Sequence, residues 1–138
     1  ERRERELPCQ AELIRGFGKV GEGKRRHLHK GIDFGAEEGT IFLAVADGIV
    51  AYSDNEVRGY GNLLAIVHGD GSVTFYSHAR ALYVFAGQRV RRGQPIGEVG
   101  HTGFAVCDHL HFEYRVRGVP RDPWSKFEKT GREPLKIE

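Results

Sequence analysis

His109-Leu110-His111-Phe112-Glu113-Tyr114 alternates polar and apolar residues, the pattern of a strand with one buried face. Residues i and i+2 of a strand point to the same side. His109, His111 and Glu113 therefore share one face, and Leu110, Phe112 and Tyr114 share the other. Two imidazoles side by side on a rigid strand suit metal binding or proton transfer. A lone HxH fits equally well with partly exposed strand histidines that only make hydrogen bonds, so the rest of the chain has to choose.

Working outward, the same kind of pattern recurs. Strands are expected over Ala11–Phe17, Thr40–Ala44, Gly48–Ser53, Asn62–His68, Ser72–Ser77, Gln88–Val90, Pro95–Val99 and His109–Val116. Gly69-Asp70-Gly71 carries the Asp-Gly signal of a hairpin. Lys19–Arg26 and Gly100–Asp108 read as loops, and Ala81–Phe85 is a short apolar run of either type. The 19 glycines fall in short turn-like clusters, and no segment has the pattern of a three-turn helix. Close-spaced strands with tight turns indicate a mostly β fold, an antiparallel sandwich or open barrel. The 138 residues suit one core. Residues 1–6 are all charged and read as a linker or the end of an upstream segment. The domain is expected over 7–124, with a polar tail or short helix over 125–138.

Composition excludes some partners. The net charge is +2, too small to indicate nucleic acid, and no aromatic residues interleave with the basic ones. Lys24-Arg25-Arg26 and Arg89, Arg91 and Arg92 read as solvated charge, with weak attraction to an anionic polymer as the sharper alternative. No apolar run approaches the ~20 residues that span a membrane. With no Met at any position, the chain is expected to be a piece of a longer protein. A missing leader is then no argument for the cytosol. Cys9 and Cys107 cannot build a four-Cys zinc site. They could pair in an oxidising compartment or remain free, and Cys107 as a ligand ranks below histidine and carboxylate.

His29-Lys30-Gly31-Ile32-Asp33 is an H-x-G-x-D pattern. Zn²⁺ accepts imidazole nitrogen and carboxylate oxygen, and a Gly between two ligands lets the backbone bend. With His111 the set becomes two His and one Asp, the form of a catalytic zinc site with an open position for water. His109 can sit beside such a metal without ligating it. Tyr76-Ser77-His78 ends another strand and offers a second free imidazole.

At this point the chain resembles the lysostaphin/LytM-type zinc metallopeptidases. The likeness is collinear from about Leu7 to Trp124. It runs through Gly16-Phe17-Gly18, His29 to Phe34, Ala46 to Val50, Gly59 to Asn62, His68 to Gly71, Tyr76-Ser77-His78, Gly93 to Gly97, Gly100 to Gly103 and His109 to Glu113. The resemblance implies a lysostaphin-like (duplicated hybrid motif) fold, with His29, Asp33 and His111 as Zn²⁺ ligands. It implies His109 as general base, and His78 as an imidazole that orients water or stabilises an oxyanion. It further implies an exported, monomeric endopeptidase that uses zinc-activated water on peptide cross-links of bacterial peptidoglycan. That places it in the periplasm, cell envelope or outside the cell. An upstream regulatory segment is a separate expectation, drawn from the charged residues before Leu7, which lie outside the likeness. Some family members have lost ligands and act as wall-binding or amidase-activating modules; all five positions are filled here. Two departures are Ala105-Val106-Cys107-Asp108 before the HxH, which adds a carboxylate, and the charged stretch before Leu7.

Other residues compete for roles. His27 forms a second HxH with His29, but the spacing to Asp33 selects His29. His68 reads as a turn residue and His101 as an exposed loop residue. Glu113 orients an imidazole or is solvated beyond the metal. Asn62 positions substrate or a turn, Tyr60 reads as a cleft wall, and Trp124 as core. A structural Cys/His zinc protein, with Cys9 and Cys107 as ligands, is the third class considered.

Overall fold

The computed structural model describes residues 12–20, 27–103, 105 and 108–123. Thirteen strands follow one another in it: β1 (Glu12–Arg15), β2 (Gly18–Val20), β3 (His27–His29), β4 (Ile32–Gly35), β5 (Ile41–Leu43), β6 (Gly48–Asp54), β7 (Asn62–His68), β8 (Val73–Ala79), β9 (Ala81–Leu82), β10 (Arg89–Val90), β11 (Pro95–Glu98), β12 (His109–Val116) and β13 (Val119–Arg121). Among the described residues there is no helix, and the strand pairings are all antiparallel. The main sheet has the order β1-β4-β12-β8-β7-β6-β10, with β13 also on β12. A three-stranded sheet, β5-β11-β9, and a small β2-β3 pair complete the fold.

β12 is the strand through which the rest connect. One edge pairs with β8 over His111–Arg115. The other edge is divided: β4 takes His109–Phe112 and β13 takes Tyr114–Val116. The alternation read from the sequence holds in space. Leu110 and Phe112 are fully buried in the core, together with Ile32 and Phe34 of β4 and Tyr76 of β8. Phe42 and Ile96 enter the same core from the smaller sheet. Phe42 stacks on Tyr76 with ring centroids 5.6 Å apart, and Tyr76 meets Phe112 edge-on at 5.3 Å. Such aromatic pairs add about 0.5–1.5 kcal/mol beyond the area they bury. The Tyr76 hydroxyl is not stranded there: it accepts from the Val45 amide at 3.2 Å and contacts Thr74 Oγ1 at 3.1 Å. Burial pushes its pKa up to about 12.

Local departures from the expected elements have local causes. Lys19 and Val20 lie in β2, paired with Leu28 and His27, not in a loop. The run from Ala81 is strand only to Leu82. Beyond it the Tyr83 amide still donates to Ile96 O at 2.9 Å. The hairpin between β7 and β8 turns at Gly69–Ser72, where Asp70 Oδ1 accepts the Ser72 amide at 2.9 Å and Gly71 takes φ 88°. His68 is more than a turn residue. It is 8% exposed, and its two ring nitrogens reach Asp47 O and Thr74 Oγ1 at 2.8 Å each. Asn62 is likewise a strap: its Nδ2 donates to Ala79 O at 2.8 Å. Cys9, Cys107, Trp124, the 1–6 and 125–138 segments and the His27 side chain lie outside the described residues.

Truncating Phe112 removes the ring against which Tyr76 packs. Phe112→Ala is expected to cost about 3–5 kcal/mol. In urea unfolding this appears as a lower midpoint at unchanged slope. A loss below about 1 kcal/mol contradicts the central place given to this ring.

Candidate metal centre

The face of β12 opposite the core carries His109, His111 and Glu113. Register places Asp33 of β4 directly across from His111 on one side, and Ser77 of β8 on the other. Asp33 Oδ1 lies 2.7 Å from His111 Nδ1, and Asp33 Oδ2 lies 3.3 Å from His29 Nε2. One donor atom each from His29, Asp33 and His111 lie within 4.8 Å of one another. Gly31 makes the approach possible, for a steric reason and not a conformational one. A Cβ there would stand 2.2 Å from the Phe112 carbonyl oxygen.

The hydrogen bonds around the ligand candidates orient their rings. His29 Nδ1 donates to Gly16 O at 2.7 Å. Its Nε2 lone pair then faces Asp33, an acceptor facing an acceptor, which calls for a cation or proton between them. His111 Nε2 is 2.8 Å from Glu113 Oε2, the carboxylate–imidazole pairing that turns Nδ1 towards Asp33. Glu113 is 1% exposed. It also accepts from Tyr60 OH at 2.9 Å and from Arg115 Nε at 2.8 Å.

The electrostatics point the same way. Burial alone would raise Asp33, but bonds to His111 and His29 and their charge outweigh it and hold the carboxyl well below the usual range. Burial would lower His111, yet hydrogen bonds to Asp33 and Glu113 and the charge of both carboxylates raise it to about 9. Burial would also raise Glu113, but His111 and Arg115 lower it. The two carboxylates thus create a demand for positive charge at His111, which a proton or a metal ion can meet. Two imidazoles and one carboxylate, held by bonds at their far sides, fit Zn²⁺.

Two more imidazoles flank the set. His109 is 8% exposed, with Nε2 3.8 Å from Asp33 Oδ1. His78 lies with its ring centroid 4.8 Å from that of His109 and 6.1 Å from that of His111. Strict alternation would send His78 to the face of Tyr76. Its φ of 67° breaks the alternation at the end of β8. The Tyr60 carbonyl accepts its amide at 2.9 Å, and Nδ1–H donates to Thr102 O at 2.7 Å. Burial lowers its pKa to about 4 against the opposing effect of that bond.

The other sequence candidates fall apart from this group. Tyr60 does line a groove with His78 and His111. His101 is exposed and pairs with Asp108 at 2.7 Å. Arg115 was not singled out from the sequence, though the period of two puts it on the His109–His111–Glu113 face. The carbonyls of Gly16 and Thr102 left no signal at all.

An antiparallel β scaffold carrying a buried His–Asp–His set, with two further imidazoles beside it, has the form of a metallopeptidase site. Residues 27–123 match the profile of Peptidase family M23, and the chain belongs to that family. It is 43% identical over 98 residues to the DD-carboxypeptidase/endopeptidase Mpg of Neisseria meningitidis, covering 71% of this chain and 22% of that protein. It is 38% identical over 116 residues to the murein hydrolase activator NlpD of Escherichia coli, covering 84% of this chain and 29% of that one. The chain therefore spans less than a third of either relative's length. The catalytic domain of lysostaphin from Staphylococcus simulans superposes with a TM-score of 0.77 at 28% identity, covering 84% of this chain and 91% of that one. A zinc-containing peptidase from Vibrio cholerae gives 0.74 at 34% identity, covering 80% and 35%.

The low value for His78 has a checkable consequence. Its folded pKa lies below its ordinary 6.5, so the unfolded chain takes up the proton first as pH falls. The stability it contributes is complete above about 6.5 and is lost as pH drops through about 4. NMR titration of the chelator-treated protein should give a His78 midpoint near 4; a midpoint near 6.5 contradicts its buried placement.

Proposed function

We propose that this chain is a zinc-dependent endopeptidase that hydrolyses peptide cross-links of bacterial peptidoglycan. The observation that carries this reading is the convergence of His29, Asp33 and His111, with His109 and His78 in ring contact beside them. His29 Nε2, an Asp33 oxygen and His111 Nδ1 would hold Zn²⁺. Bound there, the ion would supply an acidified water and polarise the substrate carbonyl.

The chain's own groups would do the proton work. His109 sits next to the ligand set but outside it, and takes the water proton as general base. It then returns that proton to the leaving amine. His78 keeps its Nδ1 proton on Thr102 O and stays neutral, so its Nε2 accepts a hydrogen bond. Of the two roles open to it, this favours orienting the attacking water over donating to an oxyanion. Glu113, held by Tyr60 and Arg115, fixes the His111 ring. A chain acting on this substrate works in the periplasm or outside the cell.

The likeness to a murein hydrolase activator favours a second reading, a module that binds the wall or activates an amidase without cutting. Zinc content and cleavage of defined muropeptides, followed by mass spectrometry, separate the two. The wild type is expected to hold one zinc and to cut. His29→Ala, Asp33→Ala or His111→Ala should lose both properties. His109→Ala should keep the zinc and slow cleavage by roughly 10²–10⁴-fold. A wild type that binds no metal and cuts nothing sinks the peptidase reading.

A further inference from the structure

A second groove lies on β6, β7 and β10, at the far side of the main sheet from the His–Asp–His set. Its volume is about 460 Å³, and its walls include Asp47, Ile49, Val67, Arg89 and Arg91. Ligand pockets run to about 300–1,000 Å³. Strand register explains its surface. Arg89 pairs with Ile49, and Ile49 with Val67, so these three side chains form a row across one face. Ile49 is 46% exposed and Val67 39%, so the middle of the row is apolar surface left to water. Half-buried Val73, opposite Val67, lengthens it. Arg89 and Arg91 are exposed, and so is Arg92 next in the chain. The acid on the walls, Asp47, already accepts the Arg92 amide through Oδ1 at 2.7 Å. The groove is therefore apolar along its row and cationic at its rim. β10 stands four strand spacings from β12, at about 4.8 Å each, roughly 19 Å away. No wall residue is shared with the groove beside His78 and His111.

We propose that this groove docks an acidic peptide segment of a protein partner, one that carries an apolar side chain between carboxylates. The apolar side chain covers Ile49 and Val67, and the carboxylates meet Arg89 and Arg91. Guanidinium matches carboxylate with two parallel N–H donors. A polyanion without apolar groups would use the arginines and leave the row wet. A wholly apolar segment would cover the row and desolvate the guanidiniums without pairing them. Charge complementarity and the exposed row together select the mixed occupant. At its distance from β12, the docked segment leaves the His111 groove open, so partner and substrate bind at once. The inference holds whether or not the chain cuts.

The test is fluorescence anisotropy on the full chain with the labelled, end-capped peptide Glu-Glu-Leu-Glu-Glu. One control peptide has Gln for every Glu, and the other has Ser for Leu. Saturable binding of the first is expected, about tenfold weaker for either control. It should weaken further as ionic strength rises. The Arg89→Gln, Arg91→Gln and the Ile49→Thr, Val67→Thr double variants should each lose about tenfold in affinity. Both change exposed side chains only, and their far-UV circular dichroism should match the wild type. A Ser peptide that binds as tightly as the Leu peptide shows a patch for any polyanion and overturns the proposal. An equally tight Gln peptide, undiminished binding in either variant, or no binding at all overturns it too. Sedimentation velocity covers the remaining occupant. A wild-type dimer that either double variant abolishes makes the occupant a second copy of the chain and overturns the acidic partner.

Discussion

Asp33 and His111 face each other across the β4–β12 pair, and their 2.7 Å contact depends on the register of that pair. A slip of one residue would turn Asp33 into the core and bring Ile32 or Phe34 out beside His111. The core residues on the opposite faces, Ile32, Phe34, Leu110 and Phe112, oppose that slip because all four are buried. The hydrophobic core and the polar site are therefore two consequences of one register. Gly31 belongs to the same constraint, since any side chain there would strike the β12 backbone and part the strands.

The polar face is organised in rings around that contact. Gly16 O and Glu113 bond the far sides of His29 and His111, so each imidazole presents a chosen nitrogen inward. Arg115 and Tyr60 in turn hold Glu113. Buried carboxylates of this kind are tolerable only when paired, and each one here is. The result is a site preorganised for a cation, in which an imidazole takes up the positive charge when only protons are present. His78 and His109 remain neighbours of the set without being absorbed by it.

Much of this was legible in the sequence, for definite reasons. A period of two is a strong signal when both faces are used, so His109 to Tyr114 declared both its core residues and the residues of its polar face. The H-x-G-x-D run named His29 and Asp33, and the collinear resemblance joined them to His111. What stayed hidden depends on contacts between distant backbones. The aim of the His78 ring depends on a left-handed φ and on the Thr102 carbonyl, neither of which has a side-chain signature. His68 looked like a turn residue because its partners, Asp47 O and Thr74 Oγ1, come from elsewhere in the chain. Gly31 was read as a bend, whereas its real requirement is the absence of a Cβ against Phe112. Arg115 could have been found, since it continues the alternation by one more step.

The most direct measurement is X-ray absorption spectroscopy at the zinc edge on the loaded full chain. Ligation by His29, Asp33 and His111 requires a first shell of nitrogen and oxygen alone at about 2.0–2.2 Å, with the multiple-scattering signature of two imidazoles. A sulfur contribution near ~2.3 Å, or a shell without imidazole, would show that the ion sits elsewhere and would contradict the site described.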